Sequence, residues 1–157
     1  VNATLPRDIG LLRPQYKTLG MSFLLALFGG AVIGALLGGV FYYPSQATWW
    51  IAASLLLWQP CLEELLFRGV LQGLLRETAW GKKCWRGISW ANVACASMFA
   101  LAHLVYQPTL WAMATFVPGL IFGYFRDQTG SLWPSLLLHC VFNAAFFWRL
   151  PSILLCG

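Results

Sequence analysis

Residues 59–76, QPCLEELLFRGVLQGLLR, set Glu63, Glu64 and Arg68 inside a segment otherwise apolar enough to lie in a lipid bilayer. No other feature restricts the fold as much. On insertion scales a charged side chain at the centre of a membrane helix costs roughly 2.5–3.5 kcal/mol, and such residues face a bundle interior or a wet cavity. Three ionisable groups at that depth therefore point to a functional site. Composition supports the membrane setting: 59% of the chain is hydrophobic and 10% charged, against about 45–50% and about 25% in soluble domains.

Eight of the nine tryptophans, Trp49, Trp50, Trp80, Trp85, Trp90, Trp111, Trp133 and Trp148, lie near expected segment ends, where amphipathic rings gather at headgroup level; Trp58 alone lies deep. The net charge of +5 sits in the connections rather than in one stripe, which argues for membrane topology and against nucleic acid. Five cysteines, Cys61, Cys84, Cys95, Cys140 and Cys156, show no CxxC spacing and read as reduced, mostly buried thiols. The first apolar run begins about twenty residues in and is long enough to span, so no cleavable signal peptide is expected.

Residues 1–20, basic and interrupted by Pro6 and Pro14, read as a juxtamembrane tail. From about Met21 to Tyr43 runs an uncharged apolar helix whose Gly30, Gly34 and Gly38 offer a seam for a neighbour. After a turn at Pro44–Ala47, a second helix from about Trp49 to Arg76 carries the glutamates. Pro60 displaces the carbonyl of Leu56, so a kink is expected one turn before Glu63. A basic connection over residues 77–89 leads to a third helix, about Ile88 to Tyr106, with His103. A fourth, about Leu110–Phe125, should bend at Pro118 and pack closely at Gly119 and Gly123. Gly130 suits a helix end and Ser131 an N-cap, so a fifth helix should run from near Leu132 to about Arg149, carrying His139 and Asn143.

The expected fold is thus all-α, a polytopic transmembrane bundle of about five helices: a tail over 1–20, then a membrane domain over 21–157. If the helices alternate, Arg7, Arg13, Lys17, Arg76, Lys82, Lys83, Arg86 and Arg126 share one side and Arg149 lies opposite, which places the N-terminus and the 77–89 loop in the cytoplasm. At 1.5 Å per residue, Glu63 and Glu64 lie roughly 18–20 Å deep, His103 roughly 22 Å, and His139 and Asn143 roughly 10–17 Å. The polar residues share a layer.

The chain's two histidines both lie in apolar helices, at depths that match the Glu-Glu pair. His139 and Asn143, four apart, share a helix face, as do Glu64 and Arg68, for which a buried ion pair is the plain structural reading. Three motifs stand in order: Glu63-Glu64-Leu-Leu-Phe-Arg68 (EExxxR), Phe99-Ala-Leu-Ala-His103 (FxxxH) and His139-Cys-Val-Phe-Asn143 (HxxxN). With the flanks Phe67-Arg68-Gly69, Gly119-Leu-Ile-Phe-Gly123 and Thr129-Gly-Ser-Leu132, they resemble the CPBP family of intramembrane proteases, which includes the CAAX prenyl-proteases and bacteriocin-processing and immunity-type proteins. The resemblance covers roughly residues 49–147. It departs in length, since members carry more helices before the first motif.

The resemblance implies peptide-bond hydrolysis within the membrane. Glu63 would activate water with help from His103, His139 and Asn143 would stabilise the oxyanion, and Glu64 would orient Arg68, with a role at the water left open. Its substrate would be a membrane-associated peptide or protein, and for so short a chain a prokaryotic inner membrane is the expected location. Two histidines and one glutamate could instead hold a catalytic zinc. Against zinc, consecutive helix residues diverge by about 100°, so the second glutamate would act from an unfavourable face; no metal or other cofactor is expected. A thiol mechanism is disfavoured because His139 and Cys140 point to different helix faces. A non-catalytic immunity or scaffold protein that keeps the motifs for packing, and a transporter, are the readings from other classes.

Overall fold

A computed structural model describes residues 9–11, 19–41 and 48–148, which are mostly helical. Most of the 1–20 tail, the 44–47 turn, Arg149 and Cys156 lie outside the described residues. The first helix, α1, is Met21–Phe41. The second, α2, is one helical run over residues 49–77 in which two π segments, Ser54–Trp58 and Leu65–Leu71, alternate with α segments. Thr48 opens it by accepting the Ile51 N–H at 3.4 Å.

A β-hairpin follows. Strands β1 (Cys84–Trp85) and β2 (Ile88–Ser89) pair antiparallel, Cys84 with Ser89 and Trp85 with Ile88. Arg86 and Gly87 turn the corner at φ 50° and 83°, the positive-φ pair that a tight two-residue hairpin loop requires. Because Ile88 and Ser89 are used in this pairing, α3 begins later than expected and spans Trp90–His103. Ser89 caps it, its hydroxyl accepting the Asn92 N–H at 3.0 Å.

The expected fourth helix is two: α4 (Thr109–Ala114) and α5 (Phe116–Thr129). Pro118 offers no N–H to the carbonyl of Ala114, and the chain breaks there. At the break the Thr115 hydroxyl donates to Ala112 at 2.6 Å, and the Gly119 N–H returns to Thr115 at 3.0 Å. Gly130, at φ 65°, closes α5 in the left-handed conformation, and α6 (Trp133–Phe146) follows with Pro134 in its first turn.

The glycine seam of α1 packs against α6. A Cβ at Gly30 would enter the Phe142 ring, one at Gly34 would stand 3.2 Å from the Ala145 methyl, and one at Gly38 would meet the Phe146 backbone. Phe23, Phe122, Phe125 and Leu138 form a core cluster. Gly119 likewise lies against Ala96, and Gly123 against Asn92 and Gln72. Cys95 is buried, whereas Cys61 and Cys84 are exposed free thiols.

Contacts define two ends. At one, Phe23 meets Phe125 edge-on at 5.1 Å, Gln72 and Ser89 both reach Asp127, and the Leu132 N–H donates to Gly10 at 2.7 Å. At the other, the Trp148 indole donates to the Ala35 carbonyl at 3.2 Å and Asn143 to that of Leu55 at 2.9 Å. Successive helical segments therefore alternate in direction. Among the described residues one helix, over Met21–Gly39, is long and apolar enough to cross a membrane; the remaining helices are shorter or interrupted. The interior holds Glu64, Arg68, Gln72, Asn92, Ser135 and His139, while Leu25, Phe28, Leu36, Leu66 and Leu110 lie exposed.

Candidate active site

Along α2, Glu64, Arg68, Gln72 and Arg76 recur every four residues. In a pure α-helix, with 3.6 residues per turn, such a stripe drifts around the axis; the wider π segment over Leu65–Leu71 holds that rotation back. The stripe meets Gly119, Gly123 and Asp127, also four apart, on α5. Arg68 donates to the Gly119 carbonyl at 3.2 Å, Gln72 to that of Gly123 at 2.9 Å and to Asp127 at 2.7 Å, and Arg76 to Asp127 at 2.7 Å. Absent side chains at the two glycines let these polar groups reach the backbone.

Arg68 is fully buried. Its guanidinium lies 3.4 Å from Glu64 Oε1 and sits over the rings of Phe99 at 4.4 Å and Phe122 at 5.6 Å. The i,i+4 ion pair expected from the sequence is present. Arg126 donates from Nε to the Arg68 carbonyl at 3.2 Å and so fixes the backbone beneath it.

His139 stands between the two glutamates. Its Nδ1 lies 2.9 Å from Glu64 Oε1, its Nε2 lies 3.6 Å from Glu63 Oε2, and its ring stacks on Phe122 with centroids 4.9 Å apart. Buried His–Glu pairing is thus the centre of the site. The carboxylates differ in setting: the Glu64 side chain is 1% exposed and that of Glu63 31%. Glu64 Oε2 has no protein hydrogen-bond partner, which leaves one buried lone-pair edge beside the ion pair.

His103 is tied to its own helix by a 2.8 Å hydrogen bond between Nδ1 and the Phe99 carbonyl. A carbonyl only accepts, so Nδ1 donates in this bond and Nε2 is the ring nitrogen left for another partner. Phe99 separates the two histidines, 4.5 Å from the His103 ring and 5.9 Å from that of His139. Asn143 uses its amide on Leu55. The structure therefore joins Glu63, Glu64, Arg68 and His139 directly. Among the described residues, no hydrogen bond or ion pair links His103 or Asn143 to the glutamates, and no three His, Cys, Asp or Glu side chains are arranged to hold a metal ion.

The sequence reading did not single out Phe122, which supports both Arg68 and His139, or the Gln72–Asp127 link. The four-residue repeat from Glu64 to Arg76 was the available signal for the second. Phe122 lies within the Gly119–Gly123 flank, but nothing in the sequence marked it as a support for these two side chains.

The chain matches the family described as Rce1-like, type II CAAX prenyl endopeptidase Rce1-like, over residues 44–145. An Escherichia coli protein described as an uncharacterized 24.3 kDa protein is 35% identical over 81 residues, which make up 51% of this chain and 35% of that protein. The match thus spans about a third of the length of that relative. No solved structure matches the chain.

Proposed function

The chain belongs to the Rce1-like family, and on that premise we propose that it is a glutamic-type intramembrane endopeptidase that hydrolyses a peptide bond of a membrane-associated protein or peptide. The observation that carries this reading is the pairing of two carboxylates on one buried imidazole, with Glu63 as the member left partly open. Glu63 takes a proton from water, assisted by Nε2 of His103, and the oxygen adds to the scissile carbonyl. Glu64 and Arg68 hold His139 in place. With Nδ1–H committed to Glu64, the Nε2 edge of His139 serves the oxyanion, which requires a ring carrying both protons between its carboxylates; the amide of Asn143 assists. Glu63 then returns its proton to the leaving amine, so one water is consumed per bond cleaved.

In this reading residues 1–20 are a cytoplasmic tail and 21–157 the membrane-embedded protease domain, with its motif-bearing core at about 49–147. Five passes cross the bilayer of a prokaryotic inner membrane. Support comes from the alternating direction of the helices and from a surface more apolar than the interior, the distribution expected where lipid is the solvent. In this reading the chemistry uses no metal: Glu63 and His103 act on the water while His139 and Asn143 act on the oxyanion, which employs each polar residue once. Partners are the peptide substrate and the bilayer, without nucleic acid.

The test is cleavage by the purified protein in liposomes, read by mass spectrometry, of farnesylated CAAX peptides and of apolar leader-type peptides. Cleavage by the wild type and none by Glu63→Gln is expected. A Glu63→Gln protein as active as the wild type would sink the assignment of the base.

A further inference from the structure

We propose that the hairpin over residues 80–90 is a docking surface for anionic phospholipid headgroups, an inference that rests on the bilayer placement above. The hairpin projects yet is firmly held. Its base is fixed by the Trp90 N–H to Lys83 at 3.0 Å and the Ala91 N–H to Gly81 at 3.3 Å, and Ser89 bonds to Asp127. Every residue from Lys82 to Gly87 is exposed. Trp80 and Trp90 stack with centroids 6.1 Å apart and are 48% and 44% exposed, and Trp85, 67% exposed, carries the Arg86 guanidinium 5.1 Å above its ring.

Three indoles and the cations of Lys82, Lys83 and Arg86 are thus displayed on one rigid ribbon. The acid facing them is Glu77, 3.7 Å from Lys82, so the cations retain an excess. Cations alone would suit any anion. Indoles beside them fit the headgroup layer, where rings sit half in hydrocarbon while Lys and Arg meet phosphate. That combination selects a lipid surface over a soluble acidic segment.

The experiment uses the full chain in phosphatidylcholine vesicles with a trace of spin-labelled phosphatidylglycerol or spin-labelled phosphatidylcholine, and reads the motionally restricted fraction of each. The wild type is expected to favour phosphatidylglycerol by about fivefold. The Lys82→Gln, Lys83→Gln, Arg86→Gln triple variant should show near-equal association with phosphatidylcholine contacts unchanged, and Trp85→Ala an intermediate preference. These surface changes touch neither the core nor the proposed catalytic groups. A preference absent from the wild type or intact in the triple variant would overturn the proposal. So would its displacement by soluble polyglutamate at matched ionic strength with Trp85→Ala unaffected, which would assign the hairpin to an acidic protein segment. If neither lipid were restricted, the bilayer placement would fail and the proposal with it.

Discussion

Consecutive helix residues point about 100° apart, yet Glu63 and Glu64 both reach His139, because an imidazole presents nitrogens on two edges. The same divergence that argued against a shared zinc leaves one carboxylate buried and the other open. We expect Glu63→Gln and His103→Ala each to abolish proteolysis while the protein still inserts and purifies normally; a variant that cleaves at the wild-type rate would remove that residue from the mechanism. Arg68→Ala should act on stability, by about 3–5 kcal/mol, since it strips the partner from a buried carboxylate. A thermal denaturation midpoint unchanged from the wild type would show the pair to be dispensable. Elemental analysis of active protein should find no stoichiometric zinc, and chelators should leave the rate unaltered; activity lost on stripping and restored by zinc would refute the metal-free mechanism. The Glu64–Arg68 pair was legible from spacing alone. The pairing of His139 with Glu63 and Glu64 was not, since it depends on the register between α2 and α6, which spacing within either helix does not set.

At the scale of the element, Pro60 shows how a local rule is met by distant residues. The sequence predicts an orphaned carbonyl at Leu56. In the structure the preceding turn is π-helical, with the Gln59 N–H reaching Ser54. In that register the next donor, to Leu55, would be the nitrogen of Pro60, which has no hydrogen. Asn143 supplies it from α6 at 2.9 Å. The amide expected at the oxyanion therefore also clasps two helices, and π turns of this kind recur at functional sites. Asn143→Ala should cost about 1–3 kcal/mol by leaving that carbonyl unpaired, so the variant should be both less stable and slower. An unchanged midpoint would separate Asn143 from the clasp. Propensity and proline placement made the helices legible and the α4–α5 break foreseeable. The π segment over Leu65–Leu71 was hidden because it accompanies the packing of the Glu64–Arg76 stripe against α5 and has no local sequence signal.

Across the whole molecule, Asp127 gathers Gln72, Arg76 and Ser89 at one end of the bundle, where Gly10 also meets Leu132. Among the described residues, Arg76, Arg126 and the hairpin cations Lys82, Lys83 and Arg86 belong to this same end, so the loop charges and the packing agree on which of these connections lie together. Under the proposed bilayer placement, loop charge predicts that this end faces the cytoplasm, because cytoplasmic loops retain Lys and Arg. Native Cys84, exposed on the hairpin, reports this directly. A membrane-impermeant maleimide should label Cys84 in inverted vesicles and spare it in intact spheroplasts, with Cys84→Ser as the blank. Gln107→Cys, exposed in the connection at the far end of α3, should show the opposite pattern. The reverse result, Cys84 labelled only from outside and the residue-107 thiol only from inside, would invert the topology. It would also turn the opening at Glu63 towards the other compartment, and with it the side from which a substrate must enter.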